Sequence, residues 1–101
     1  MYNRVEIAHD FADTIKSEYI KKIILFGSVA RGDDTKHSDI DILVISNHRD
    51  EIWPVICRKI ADFIIEKHQI VSAHVVSEDY LKEIDEFSFM KNIRKEGIVI
   101  G

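Results

Sequence analysis

Cysteine occurs once in this chain, at Cys57, and proline once, at Pro54. A single thiol excludes an intramolecular disulfide and a thiolate metal cluster, and suits a reducing compartment. Glycine is scarce too, with four residues in 101, so the composition is neither collagen-like nor linker-rich. There is no run of about 18 apolar residues to span a bilayer. Glu6, Asp10 and Asp13 interrupt the N-terminal stretch where a signal peptide needs an unbroken apolar core, so the expected location is the cytoplasm, with no membrane partner. Positive charge is in deficit: 14 Lys and Arg against 18 Asp and Glu leave a net charge of -4. That argues against an extended basic surface of the kind that binds nucleic acid through its phosphates. What is present, 46% hydrophobic and 32% charged residues, is the make-up of a folded globule. The length predicts one domain over residues 1–101, with no room for a separate acceptor-binding domain.

Hydrophobic spacing gives the order of elements. Val5, Ala8, Phe11, Ala12, Ile15 and Tyr19 recur at three- and four-residue steps, which predicts an amphipathic helix. Residues 23–26, apolar on both faces and closed by Gly27, read as a short buried strand. A polar stretch from Gly32 to Ser38 leads into a second strand, Asp39 to Ile45, with Ile40, Ile42 and Val44 on one face. A second helix runs to about Lys67; Pro54 is expected in its first turn, and Cys57 on its apolar face, as a core residue. Residues 70–76 form a third strand, and Ser77 is placed to cap a helix whose stripe runs from Leu81 to Ile93 with a break near Ser88. Gly97 is a plausible stop before an edge strand at 98–100. The pattern predicts an α/β (α+β) fold with helices on a small mixed sheet. The first two strands are expected to be antiparallel, because about a dozen residues are too few for a regular crossover, and the second and third parallel.

The chemistry concentrates in one stretch. Asp39 and Asp41 leave the same face of a strand with Cα atoms about 6.6 Å apart, at about 3.3 Å rise per residue. Such a pair repels unless a cation joins it, and Mg²⁺ suits it, because that ion takes one or two protein carboxylates and completes its shell with water and phosphate oxygens. Gly27 lets a phosphate approach the backbone, Ser28 offers a hydroxyl and an N–H, and Arg31 presents a planar fork to phosphate. If the first two strands pair antiparallel, all of these groups converge at one sheet edge. They describe a site for a metal-bound nucleoside triphosphate. In isolation each is ordinary: an exposed strand face, a turn, a surface arginine. The joint spacing carries the reading.

Residues 27–42, GSVARGDDTKHSDIDI, resemble the signature of the DNA polymerase beta-like nucleotidyltransferases, and the short chain resembles their minimal nucleotidyltransferase (MNT) branch. The resemblance implies a nucleotidyltransferase fold, Mg²⁺ at the catalytic Asp39 and Asp41, and nucleotide at Gly27, Ser28, Arg31 and Ser38. It further implies transfer of a nucleoside monophosphate, AMP from ATP, to a hydroxyl acceptor. It implies a partner as well, since MNT antitoxins are paired with HEPN-domain toxins. One departure stands out. Members with a full triad carry a third acid on the next strand, where this chain has His74. A neutral imidazole adds no negative charge and suits Mg²⁺ poorly. Three explanations stay open: a two-acid site, a substitute acid such as Asp33, Asp34 or Glu78, or a degenerate, non-catalytic binding module. His74 as an ordinary strand histidine is an equally good reading. His9, His37, His48 and His68 show no ligand spacing. Trp53, Phe63, Phe87, Phe89 and Met90 read as core or interface, and the apolar C-terminal helix as a surface for a partner or a second copy of the chain.

Overall fold

The computed structural model describes residues 3–84 and 87–101, with the backbone alone at Phe89. The elements are α1 (Arg4–Ile15), β1 (Lys22–Phe26), α2 (Gly27–Arg31), β2 (Ile40–Ile45), α3 (Arg49–Lys67), β3 (Val71–Val76), α4 (Glu78–Glu83), α5 (Ser88–Glu96) and β4 (Ile98–Val99). They build the mixed α/β fold that the spacing predicts. The sheet order is β3-β2-β1-β4, with β2 antiparallel to β1, β4 antiparallel to β1, and β3 parallel to β2.

Strand alternation sends side chains to two helical layers. Ile40, Ile42 and Val44 of β2 join Ile23, Leu25 and Val71 beneath α1 and α3. Phe11 of α1 meets Phe63 of α3 edge to face, ring centroids 5.1 Å apart, at the centre of this core. The alternate residues Leu43 and Ile45 form a smaller cluster with Met90 and Ile93 of α5, flanked by Leu81 and Ile84. Both faces of β2 are therefore covered along its length, except at Asp41, its second residue.

Three placements along the helices depart from the sequence reading. Asn3 caps α1 by accepting from the N–H groups of Val5 and Glu6, but the helix stops at Ile15, so Tyr19 lies in the following turn, 40% exposed, where its carbonyl accepts the Ser46 hydroxyl at 2.6 Å. α3 begins at Arg49, which puts Pro54 in the second turn rather than the first. The bond its missing N–H forfeits falls to the carbonyl of exposed Asp50, which water can reach. Cys57 is exposed rather than in the core. The buried stripe of α3 is narrow, Ile52, Ile56 and Phe63, and Cys57 lies one residue, about 100° of helical rotation, past it. The C-terminal helical stretch is two helices, as the break expected near Ser88 implies: Ser77 caps α4 by accepting from the Tyr80 N–H, and Phe87, 63% exposed, precedes α5. No helix among the described residues is long and apolar enough to cross a membrane.

Candidate active site

Antiparallel pairing of β1 and β2 sets Phe26 opposite Asp41, so the chain leaves β1 directly beside the point where β2 enters the sheet. Gly27, the next residue, has φ +76°, and a Cβ built on it would collide with the Asp41 carboxylate. Only glycine satisfies both the backbone angle and the close approach. Gly32 ends α2 at φ +79°, with its N–H on the Ser28 and Val29 carbonyls, and turns the chain back toward β2. The two glycines thus bound the five-residue α2, which starts beside Asp41 and ends in Arg31, close enough to act on the Asp41 charge.

Asp39 lies just before β2 and is exposed, whereas Asp41 lies within the strand and is half-buried. Burial pushes the Asp41 carboxyl above the usual carboxylate range, and repulsion from Asp39 adds to this; His74 and Arg31 pull it the other way. The two acids therefore share one electrostatic field in which a cation is favoured. For an acid whose folded pKa is raised, ionisation opposes folding at pH values above that pKa, and the penalty fades as the pH falls through it. Asp41→Asn is accordingly expected to raise the melting temperature of the metal-free protein at pH 7, with the gain shrinking toward pH 4. Melts in EDTA at the two pH values check this; an unchanged or lowered midpoint at pH 7 would contradict it.

Arg31 donates to Asp33 at 3.1 Å and to Glu96 of α5 at 3.3 Å, contacts that raise its already high pKa further. It lines a cleft of about 300 Å³ together with Phe26, Gly27, Asn92, Ile93 and Glu96. Ser38 uses its hydroxyl to accept the Thr35 N–H at 2.9 Å, so that group is engaged within its own loop. His74 stands opposite Leu43 on β3, two residues beyond the Asp41–Ser72 pair and on the same sheet face. Its ring centroid is 5.9 Å from that of Phe26. It also lines a larger hollow of about 420 Å³ with Trp53, Tyr80, Phe87 and Met90, which neither Asp39 nor Asp41 lines.

Among the described residues, no three His, Cys, Asp or Glu side chains gather closely enough to hold a metal ion by themselves. The substitute acids pair with cations, Asp33 with Arg31, Asp34 with Arg4, and Glu78 with Lys21 at 3.4 Å, and none of them gathers with Asp39 and Asp41 into a three-ligand set. The donor set at the sheet edge is therefore two carboxylates. That number fits Mg²⁺, which commonly takes one or two carboxylates and leaves its remaining positions to water and phosphate.

Residues 9–100 match the nucleotidyltransferase domain family. The chain belongs to that family. A protein of Methanocaldococcus jannaschii named as a candidate protein adenylyltransferase is 37% identical over 101 residues, covering 97% of this chain and 98% of the relative. A second protein of that name and organism is 50% identical over 40 residues, 39% of this chain and 40% of its own length. Among solved structures, a nucleotidyltransferase from Sulfolobus solfataricus aligns with TM-score 0.52 at 22% identity, over 96% of this chain and 75% of its own. A toxin–antitoxin complex, MntA–HpeT, aligns with TM-score 0.52 at 16% identity, over 100% and 73%. A toxin–antitoxin structure holding AMP-PNP aligns with TM-score 0.51 at 18% identity, also over 100% and 73%. The family match and the 37% identical relative make the chain a nucleotidyltransferase-domain protein, and the solved structures share its fold. Two residues outside the motif make contact with it: Arg4 donates to the Ser38 carbonyl and Glu96 accepts from Arg31. Arg4 and Glu96 come to the site from α1 and α5, 34 residues before Ser38 and 65 after Arg31, and no local pattern in the sequence marks either.

Proposed function

We propose that this nucleotidyltransferase transfers AMP from ATP to a hydroxyl group on a partner protein. The observation that carries the reading is the packing of the Asp41 carboxylate against Gly27, which brings the acidic pair and the phosphate-binding turn together. In this reading Asp39 and Asp41 would hold Mg²⁺, which when bound would supply positive charge to offset that of the phosphates. Gly27 leaves the backbone open to the triphosphate, Ser28 donates its hydroxyl and N–H to a phosphate oxygen, and Arg31 turns from Glu96 to the phosphate tail. Ser38 contributes through the loop it stabilises. The acceptor oxygen bonds to the α-phosphorus, the bond to the β-phosphate breaks, pyrophosphate leaves and the hydroxyl proton is lost to the surroundings.

The adenylyltransferase relative supports AMP as the group transferred, and the toxin–antitoxin structures support a toxin as the acceptor. We take that toxin to be a HEPN-domain protein encoded beside this chain. ATP labelled at the α-phosphate, incubated with Mg²⁺, this chain and the neighbouring gene product, is expected to label that product. Transfer from the γ-phosphate instead would contradict the proposal. A stable complex that forms without any transfer would favour the non-catalytic reading, which His74 at the third-acid position supports.

A further inference from the structure

We propose that Arg4 is a positioning residue for the metal site, acting through Asp39. Its guanidinium donates to the carbonyls of Thr35 at 2.8 Å, Ser38 at 2.8 Å and Lys36 at 3.1 Å, and reaches the Asp34 carboxylate at 3.4 Å. One side chain, 14% exposed, therefore gathers the whole turn between α2 and β2. The last of these carbonyls matters most, because the Ser38 carbonyl and the Asp39 N–H belong to one rigid peptide plane. On the other side of Asp39, the Ile40 N–H donates to the Ile70 carbonyl at 2.9 Å. Asp39 lies outside the strand, so these two bonds, one before it and one after, aim its carboxylate. Asp41 is fixed independently by the sheet register and by Gly27.

The placement of Arg4 also runs against local preference. It is the first residue of α1, where the helix dipole disfavours a cation. A residue that breaks a local rule while satisfying four acceptors in a distant loop is explained by the loop. Lysine could replace it only in part, because the guanidinium works from two nitrogens, Nη1 to Thr35 and Ser38 and Nη2 to Lys36, whereas an ammonium is a single point charge.

The inference rests on the reading that Asp39 and Asp41 bind a divalent ion, and the test separates the two. Mn²⁺ alone is titrated against wild type, Arg4→Met, Arg4→Lys, Asp39→Asn and the Arg4→Met/Asp39→Asn double variant, with free Mn²⁺ read by electron paramagnetic resonance. Melting curves of each variant are recorded alongside. Arg4→Met is expected to bind Mn²⁺ about tenfold more weakly than wild type, Arg4→Lys to fall between, and the double variant to bind no more weakly than Asp39→Asn alone. Such non-additivity is the mark of two residues acting as one unit. Should Arg4→Met fail to fold, Arg4→Lys and its double variant with Asp39→Asn carry the same comparison. Wild-type affinity in the Arg4 variants would overturn the inference, as would an equal further loss in the Asp39→Asn background. Wild type that binds no Mn²⁺ would overturn the reading of the acidic pair and this inference with it.

Discussion

Asp39→Asn and Asp41→Asn are each expected to lower the rate of AMP transfer by about a thousandfold, with the fold intact. Asparagine keeps the shape of the side chain, so the close approach of Asp41 to Gly27 survives, while one negative ligand is lost. A bound metal supplies several kcal/mol of charge stabilisation in such reactions, and each 1.36 kcal/mol is about a factor of ten. Asp41→Asn should be inactive yet more stable without metal, since burial already disfavours its charge. Stability and activity thus move in opposite directions at this residue. Single-turnover labelling with the partner present, beside melting curves, measures both. A variant that keeps a tenth or more of wild-type turnover would show that the carboxylate is not a metal ligand.

Gly27→Val should damage fold and function together. Its φ of +76° lies where a β-branched residue is strongly disfavoured, and the added Cβ meets the Asp41 carboxylate. Backbone strain of about 1–3 kcal/mol and overpacking of similar size give an expected loss of roughly 2–6 kcal/mol in stability. Because the atom in the way belongs to a proposed metal ligand, relief of the clash must displace Asp41. Activity should therefore fall even at temperatures where the variant is folded. Gly32→Val is the comparison: at φ +79° it meets a similar backbone penalty, with nothing within 4 Å of its Cβ. Denaturant unfolding and turnover of the two variants separate strain from displacement. If both lose activity equally, the contact with Asp41 is not what the glycine serves.

The sheet and its site were legible in the sequence to the extent that local spacing encodes them. Alternation in residues 39–45 fixed the two faces of β2, and the short connection from Phe26 to Ile40 implied the antiparallel pairing that brings Gly27 to Asp41. Helix faces were less legible. Cys57 and Ile64 lie where a wide apolar stripe would bury them, but α3 contacts its neighbours along a narrower line, and both are exposed. How wide a stripe is covered depends on tertiary packing. Pro54 was misplaced because the chain tolerates a missing N–H one turn further in than preference suggests. The motif located the acids and the turn; it could not locate Arg4 or Glu96, whose contacts span 30 or more residues.

The central claim is that Asp39, Asp41 and the Gly27–Ser28 turn form one site for a metal-bound nucleoside triphosphate. Calorimetric titration of ATP into the wild-type protein, in Mg²⁺ and again in EDTA, tests it most directly, with the Asp39→Asn/Asp41→Asn variant alongside. The account expects ATP to bind wild type in Mg²⁺, and this binding to be lost both in EDTA and in the double variant. ATP binding that is indifferent to Mg²⁺ and unchanged by the two substitutions would contradict it.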